Sequence, residues 1–189
     1  AFEKAIRLAG TNQVTVVAKA RLGQARSLWK QKSYAEAREA LDLFLSDPKM
    51  AKMAIAADAN FMLVEVASDQ GRGEKDSTMR TKHFNAAIGA LKKVRQYWSK
   101  KPMWEQDQLD LLSGDILVDR MKAEEAMGLK DEAMETCGLA AGKFQTFIQS
   151  RGANEDHPID KMEAGAVANL ERAYASLIPL LVKQGAANA

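Results

Sequence analysis

The stretch from Leu22 to Pro48 constrains the fold more than any other part of the chain. Leu22–Gly23–Gln24–Ala25 and Leu28 alternate small and large residues at helical spacing. Ser33–Tyr34–Ala35–Glu36–Ala37 restarts the pattern, and Asp47–Pro48 closes it. Apolar residues three and four apart line one side of a helix. Where two helices cross at about 8–10 Å, a small residue is needed at the crossing, with bulk beside it to fill the groove. Two antiparallel helices joined by a short turn satisfy this segment, and such a hairpin can stack on others.

Helical spacing continues along the chain. Only Val14–Thr15–Val16–Val17 is rich in β-branched residues, and it runs directly into a helical pattern. The spacing predicts eight helices: 1–9, ending at Gly10; about 11–31; 33–46; about 49–70; about 80–99; about 104–127; about 130–150; and 158–184. Ser33 and Glu36 have the spacing of a capping box, each side chain reaching the other's backbone amide. Pro48 ends one helix, because the residue before a proline is pushed out of the helical region. Pro158 suits the first turn of the last helix, and Pro179 is expected to kink it. Two stretches interrupt the rhythm. Gly71–Thr78 reads as an exposed, protease-sensitive charged loop, and 151–157 as a second loop. The tail from Gly185 is expected to fray.

The repeating unit resembles the tetratricopeptide repeat. In its first unit Ala25 takes the small position of helix A, followed by Leu28. Tyr34, Ala37, Leu41, Phe44 and Pro48 match helix B. A second unit has Val64, Ala67 and Gly71, then Phe84, Ala87, Leu91, Val94 and Pro102. The gap between Gly71 and Phe84 is about eleven residues too long, so the charged loop looks like an insertion. A third has Gly128, Ala133, Cys137 and Ala140, and a fourth supplies one helix ending at Gly185. The tryptophan that opens helix A in the family is missing throughout. The resemblance implies an all-α, right-handed α-α superhelix of antiparallel helix pairs, about eight helices, forming a single repeat domain over 1–189. It also implies a scaffold that presents a concave groove to a peptide or helix of a partner protein. Helix 1–9 would be the second half of an earlier repeat, and the chain reads as a fragment of a longer one. Long, irregular repeats of this style also resemble bacterial cell-envelope scaffolds, which points to the periplasmic side, with the cytoplasm as the alternative.

Composition restricts the partners. Lys and Arg number 27 against 25 Asp and Glu, a net charge of +2 in 189 residues. That balance gives no global pull toward nucleic acid or an anionic membrane. No stretch approaches the roughly 20 apolar residues of a membrane span. The single cysteine, Cys137, excludes an internal disulfide, and it falls at a core position of helix B. The nine methionines are scattered, as gap-fillers in an irregular helical core are.

If the register holds, the first helix of each unit lines the groove. The candidate partner-binding residues are Lys19, Arg26, Trp29 and Lys30 on one helix and Asp58, Phe61, Glu65 and Asp69 on the next. One row is basic and its neighbour acidic. Trp29 and Phe61 would anchor an extended charged peptide. Mutual neutralisation, such as Arg26 against Glu65, explains the same charges without a partner. The lysine–asparagine clamp with which some relatives of this style hold a terminal carboxylate is not expected. Its positions fall at Lys19, Leu22, Gly23 and Arg26, which lack the asparagine and the second lysine.

Other clusters point to weaker alternatives. Lys92, Lys93, Arg95, Lys100 and Lys101 alternate with Tyr97, Trp98 and Trp104, a pattern that could grip single-stranded nucleic acid. A helix C-terminus equally favours cations. His157 stands in Asn154–Glu155–Asp156–His157–Pro158 with no second histidine near it, and helix capping by Asp156 explains the cluster. His83 is expected at the surface. No nucleophile, phosphate-loop or metal motif is present, so catalytic residues, metal and cofactor are none, and no enzyme activity is expected. A purely structural repeat segment is the remaining alternative.

Overall fold

A computed structural model of the chain describes residues 13–101, 103–151 and 162–187. Among these residues every regular element is helical, and no strand is present. Seven α-helices follow one another: α1 Val14–Lys30, α2 Tyr34–Ser46, α3 Ala56–Gly73, α4 Ser77–Tyr97, α5 Met103–Ala126, α6 Lys130–Arg151 and α7 Ala164–Ala187. A 3-10 turn, Trp98–Lys100, follows α4. The predicted helix over 1–9 and the loop around His157 lie outside the described residues.

The helices fall into two compact units. One holds residues up to Glu74 together with Asn85–Tyr97, the other Lys75–Phe84 together with the chain from Trp98 onward. α4 therefore contributes its first part to the second unit and its last part to the first.

In the first unit, consecutive helices run antiparallel. Arg21, in mid-α1, donates to the carbonyl oxygen of Leu43 near the end of α2 (2.6 Å). Arg38, early in α2, donates to Gln70 late in α3 (3.3 Å). α1 and α3 then run in the same direction, with Trp29 and Asp69 joined near both C-termini. Val17, Leu22, Ala25, Ala37, Leu41, Phe44, Met62 and Val66 form one buried cluster. Ala25 and Ala37 have no exposed surface, as a small residue at a helix crossing should.

The second unit repeats this plan. Asp107 and Asp110 of α5 pair with Arg151 and Lys143 of α6, so the two helices are antiparallel. Cys137 early in α6 donates its thiol to the carbonyl oxygen of Leu180 late in α7 (3.6 Å). α5 and α7 run in the same direction, with Asp115 paired to Arg172 and Glu125 to Lys183. At the α5–α6 crossing, a Cβ on Gly114 would lie 2.7 Å from the ring of Phe144. Only glycine fits there.

The turns of the two leading hairpins are the same. After α1, Lys32 adopts φ +61°, its amide donates to Trp29 and the next amide, of Ser33, to Leu28. After α5, Gly128 adopts φ +76°, its amide donates to Glu125 and that of Leu129 to Glu124. Both are Schellman closures with one left-handed residue.

Several sequence expectations need correction. α3 starts at Ala56, not near Lys49; the residues between are turns, the first of them closed by Asp47 Oδ1, which accepts the amides of Lys49 (2.8 Å) and Met50 (3.3 Å). Gly71–Thr78 is no charged loop. α3 continues to Gly73 with Gly71 buried, and only Glu74–Asp76 connects it to α4. Asp76 supplies the cap that allows this, accepting the amide of Met79 (2.7 Å). The Ser33–Glu36 capping box does not form. Ser33 precedes α2 and makes no side-chain bond there, and its carbonyl oxygen accepts the amide of Ala37. His83 is buried, not superficial. Residues 185–187 are the last turn of α7, where fraying was expected.

Candidate functional site

All eight candidate residues lie in the first unit, on α1 and α3. Lys19, Arg26 and Lys30 are seven and four apart on α1, so they share one face, and all three are exposed. Asp58, Phe61, Glu65 and Asp69 are three to four apart on α3. Asp58 is exposed and the other three are half-buried. Because α1 and α3 run in parallel, the two rows match rung by rung.

The structure brings two rungs together. Trp29 Nε1 donates to Asp69 Oδ2 at 2.9 Å. The other oxygen, Oδ1, accepts from Arg72 at 3.4 Å. Arg26 lies near enough to Glu65 to favour its ionised form. That attraction is outweighed by burial first and by Asp69 second, which hold the Glu65 carboxyl above the ordinary glutamate range. Nothing in the geometry joins Lys19 to Asp58.

Trp29 packs against the buried cluster, is half-buried, and gives its indole N–H to Asp69, so it helps to hold α1 and α3 together. On this face Lys19, Arg26, Lys30 and Asp58 are exposed, and Phe61, Glu65 and Asp69 are half-buried.

The basic and aromatic patch is divided between the units. Lys92, Lys93 and Tyr97 belong to the first, Trp98, Lys100 and Lys101 to the second. Tyr97 donates its hydroxyl to the carbonyl oxygen of Ala51 (2.9 Å). Lys101 Nζ sits 5.0 Å from the centre of the Trp98 ring, occupying one face that a base would stack on.

Sequence reasoning missed a set of carboxylates in the second unit. Asp107, Asp110 and Glu124 on α5 are buried. Lys143 reaches Asp110 at 3.0 Å, Arg151 reaches Asp107 at 3.6 Å, and Arg120 reaches Glu124 at 2.7 Å. For Asp107 and Asp110 the signal was present as acids on one helix and bases on the next. It became readable only once the hairpin register was known. The Asp110 and Asp107 pairs tie α5 to α6, the Arg120–Glu124 pair lies within α5, and each buried charge has a cation beside it. Burial also raises the Cys137 thiol above its usual range.

Among the described residues, no three His, Cys, Asp or Glu side chains converge to hold a metal ion. No described helix is long and apolar enough to cross a membrane. Compared with protein-family models, curated proteins and solved structures, the chain matches none of them.

Proposed function

We propose that the chain is a helical-repeat interaction scaffold whose α1–α3 face binds an acidic segment of a partner protein. The observation that carries this reading is the asymmetry between the two rows. Lys19, Arg26 and Lys30 are all exposed on one helix face, whereas of the three acids in the facing row only Asp58 is exposed; Glu65 and Asp69 are half-buried, and Asp69 is tied to Trp29 and Arg72. A row of three cations with two of its three counter-charges drawn inward attracts anionic groups.

The repeat reading, tetratricopeptide-like with the hairpins winding into a right-handed superhelix, is supported by the twin Schellman turns at Lys32 and Gly128. It is supported too by the antiparallel neighbour and parallel next-neighbour arrangement within each unit. α7 leaves Tyr174, Ile178, Leu181 and Val182 exposed. On this reading the protein works by holding a partner and carries out no catalytic step.

Selection from a random peptide library tests it. The wild-type chain should enrich peptides rich in Asp and Glu, and the Lys19→Ala/Arg26→Ala/Lys30→Ala triple variant should not. No enrichment by the wild type, or equal enrichment by the triple variant, would overturn the assignment.

A further inference from the structure

The middle turns of α7 are apolar on every side. From Ala173 to Val182 the sequence has no charged residue. One side of this stretch, with Ala173, Leu177 and Leu180, is buried. The other side is no more polar: Tyr174 is 48% exposed, Ile178 59%, Leu181 42% and Val182 67%. At about 100° per residue these four fall within one arc of about 100°, with Gly185 inside it and Ala175 at its edge. An ordinary surface helix turns charge outward, as α2 does with Glu36, Glu39 and Asp42. A helix that is apolar all round is a covered helix.

The chemistry of the face selects its cover. A lipid surface holds an apolar face that is flanked by cations. The two cations of α7, Arg172 and Lys183, are paired with Asp115 and Glu125 of α5, and the one charge on the exposed arc is Glu171. An anionic membrane finds no attraction there.

A second copy of the chain fits. In an antiparallel pair of α7 helices with a two-fold axis at Ile178, Tyr174 of one copy lies level with Val182 of the other. Ala175 lies level with Leu181, and Glu171 with Gly185. Each level sets a large side chain against a smaller one, as close helix packing requires. The two Glu171 carboxylates fall at opposite ends, about 20 Å apart along the axis at 1.5 Å per residue, whereas a parallel pair would set them side by side. The four exposed side chains leave about 400 Å² of apolar surface on each copy, a large patch for a monomer. Pairing covers about twice that. With Ala175, Pro179 and Gly185 added, the contact reaches the roughly 1,000 Å² that a specific interface needs.

We propose that the exposed face of α7 is the two-fold contact of a homodimer, in which two copies of the chain pack α7 against α7, antiparallel about Ile178. The contact uses no residue of α1 or α3, so it stands or falls separately from the acidic-peptide site.

The test is sedimentation of the full chain between about 1 and 500 µM, together with oxidative crosslinking. The wild type should pass from monomer to dimer with a dissociation constant on the order of 10–100 µM. Ile178→Glu and Ile178→Lys should each stay monomeric with an unchanged melting curve, because the position is open to solvent in the monomer. An equimolar mixture of the two should dimerise again, since the axis brings the opposite charges together. In the otherwise wild-type chain, Ile178→Cys should form a disulfide-linked dimer and Glu171→Cys should not. Cys137 is buried and does not compete. Where the charged variants fail to fold, the crosslinking decides. A wild type that stays monomeric at the highest concentration, free or bound to phosphatidylglycerol vesicles, overturns the proposal. So does a dimer that survives Ile178→Glu, or linkage at Glu171→Cys in place of Ile178→Cys.

Discussion

Trp29 donates its indole N–H to Asp69 Oδ2 at 2.9 Å, joining two parallel helices that are separated in the chain by α2. The bond helps to hold those two helices together. Trp29→Phe keeps the packing and removes the donor. It should destabilise the chain by about 1–2 kcal/mol, as loss of a hydrogen bond to a charged acceptor does. Chemical denaturation measures this, with peptide binding by the folded variant expected to stay within about twofold of wild type.

Gly114 admits no side chain. A methyl at its Cβ would lie 2.7 Å from Cε1 and Cζ of Phe144, a buried ring in the α5–α6 crossing. Gly114→Ala should cost about 1–3 kcal/mol through overpacking, despite the better helix propensity of alanine. Adding Phe144→Leu should recover part of that loss in a double-mutant cycle.

Lys32 sits at φ +61°, where a side chain is strained and glycine is not. The equivalent position in the α5–α6 hairpin is Gly128. Lys32→Gly should therefore stabilise by about 0.5–1 kcal/mol, which a thermal or denaturant melt would detect.

Glu65 carries a raised carboxyl pKa, caused by burial and then by Asp69, against the pull of Arg26. The folded state thus holds the Glu65 proton more tightly than the unfolded chain does. The favourable contribution is fully present below the ordinary glutamate range and is lost as pH rises through the elevated folded value. Glu65→Gln removes that dependence. It should raise the melting temperature at pH 7 by about 1–2 °C and leave it unchanged near pH 3.

The helical character of the chain was legible in its sequence, and so were the small residues at the crossings. Ala25, Ala37 and Ala87 are all fully buried, because 3.6-residue spacing is a local property. The element boundaries that failed were those decided by single hydrogen bonds. Asp47 closes a turn that does not go on into α3 and Asp76 caps α4 at its start, and the same bond at both gives a propensity pattern no way to tell them apart. At the candidate site the two rows were legible as charge at helical spacing. The division of labour within them was not. Whether a tryptophan binds a guest or its neighbour depends on which carboxylate the fold brings within 3 Å, and Asp69 is forty positions away.

The most direct measurement is the affinity of the best library-selected acidic peptide for the wild type and for Lys19→Ala/Arg26→Ala/Lys30→Ala, read by fluorescence anisotropy alongside the melting curve of each protein. The account predicts binding at least about tenfold weaker in the triple variant, weakened further by salt, with melting curves that coincide. Equal affinity in two equally folded proteins would contradict it.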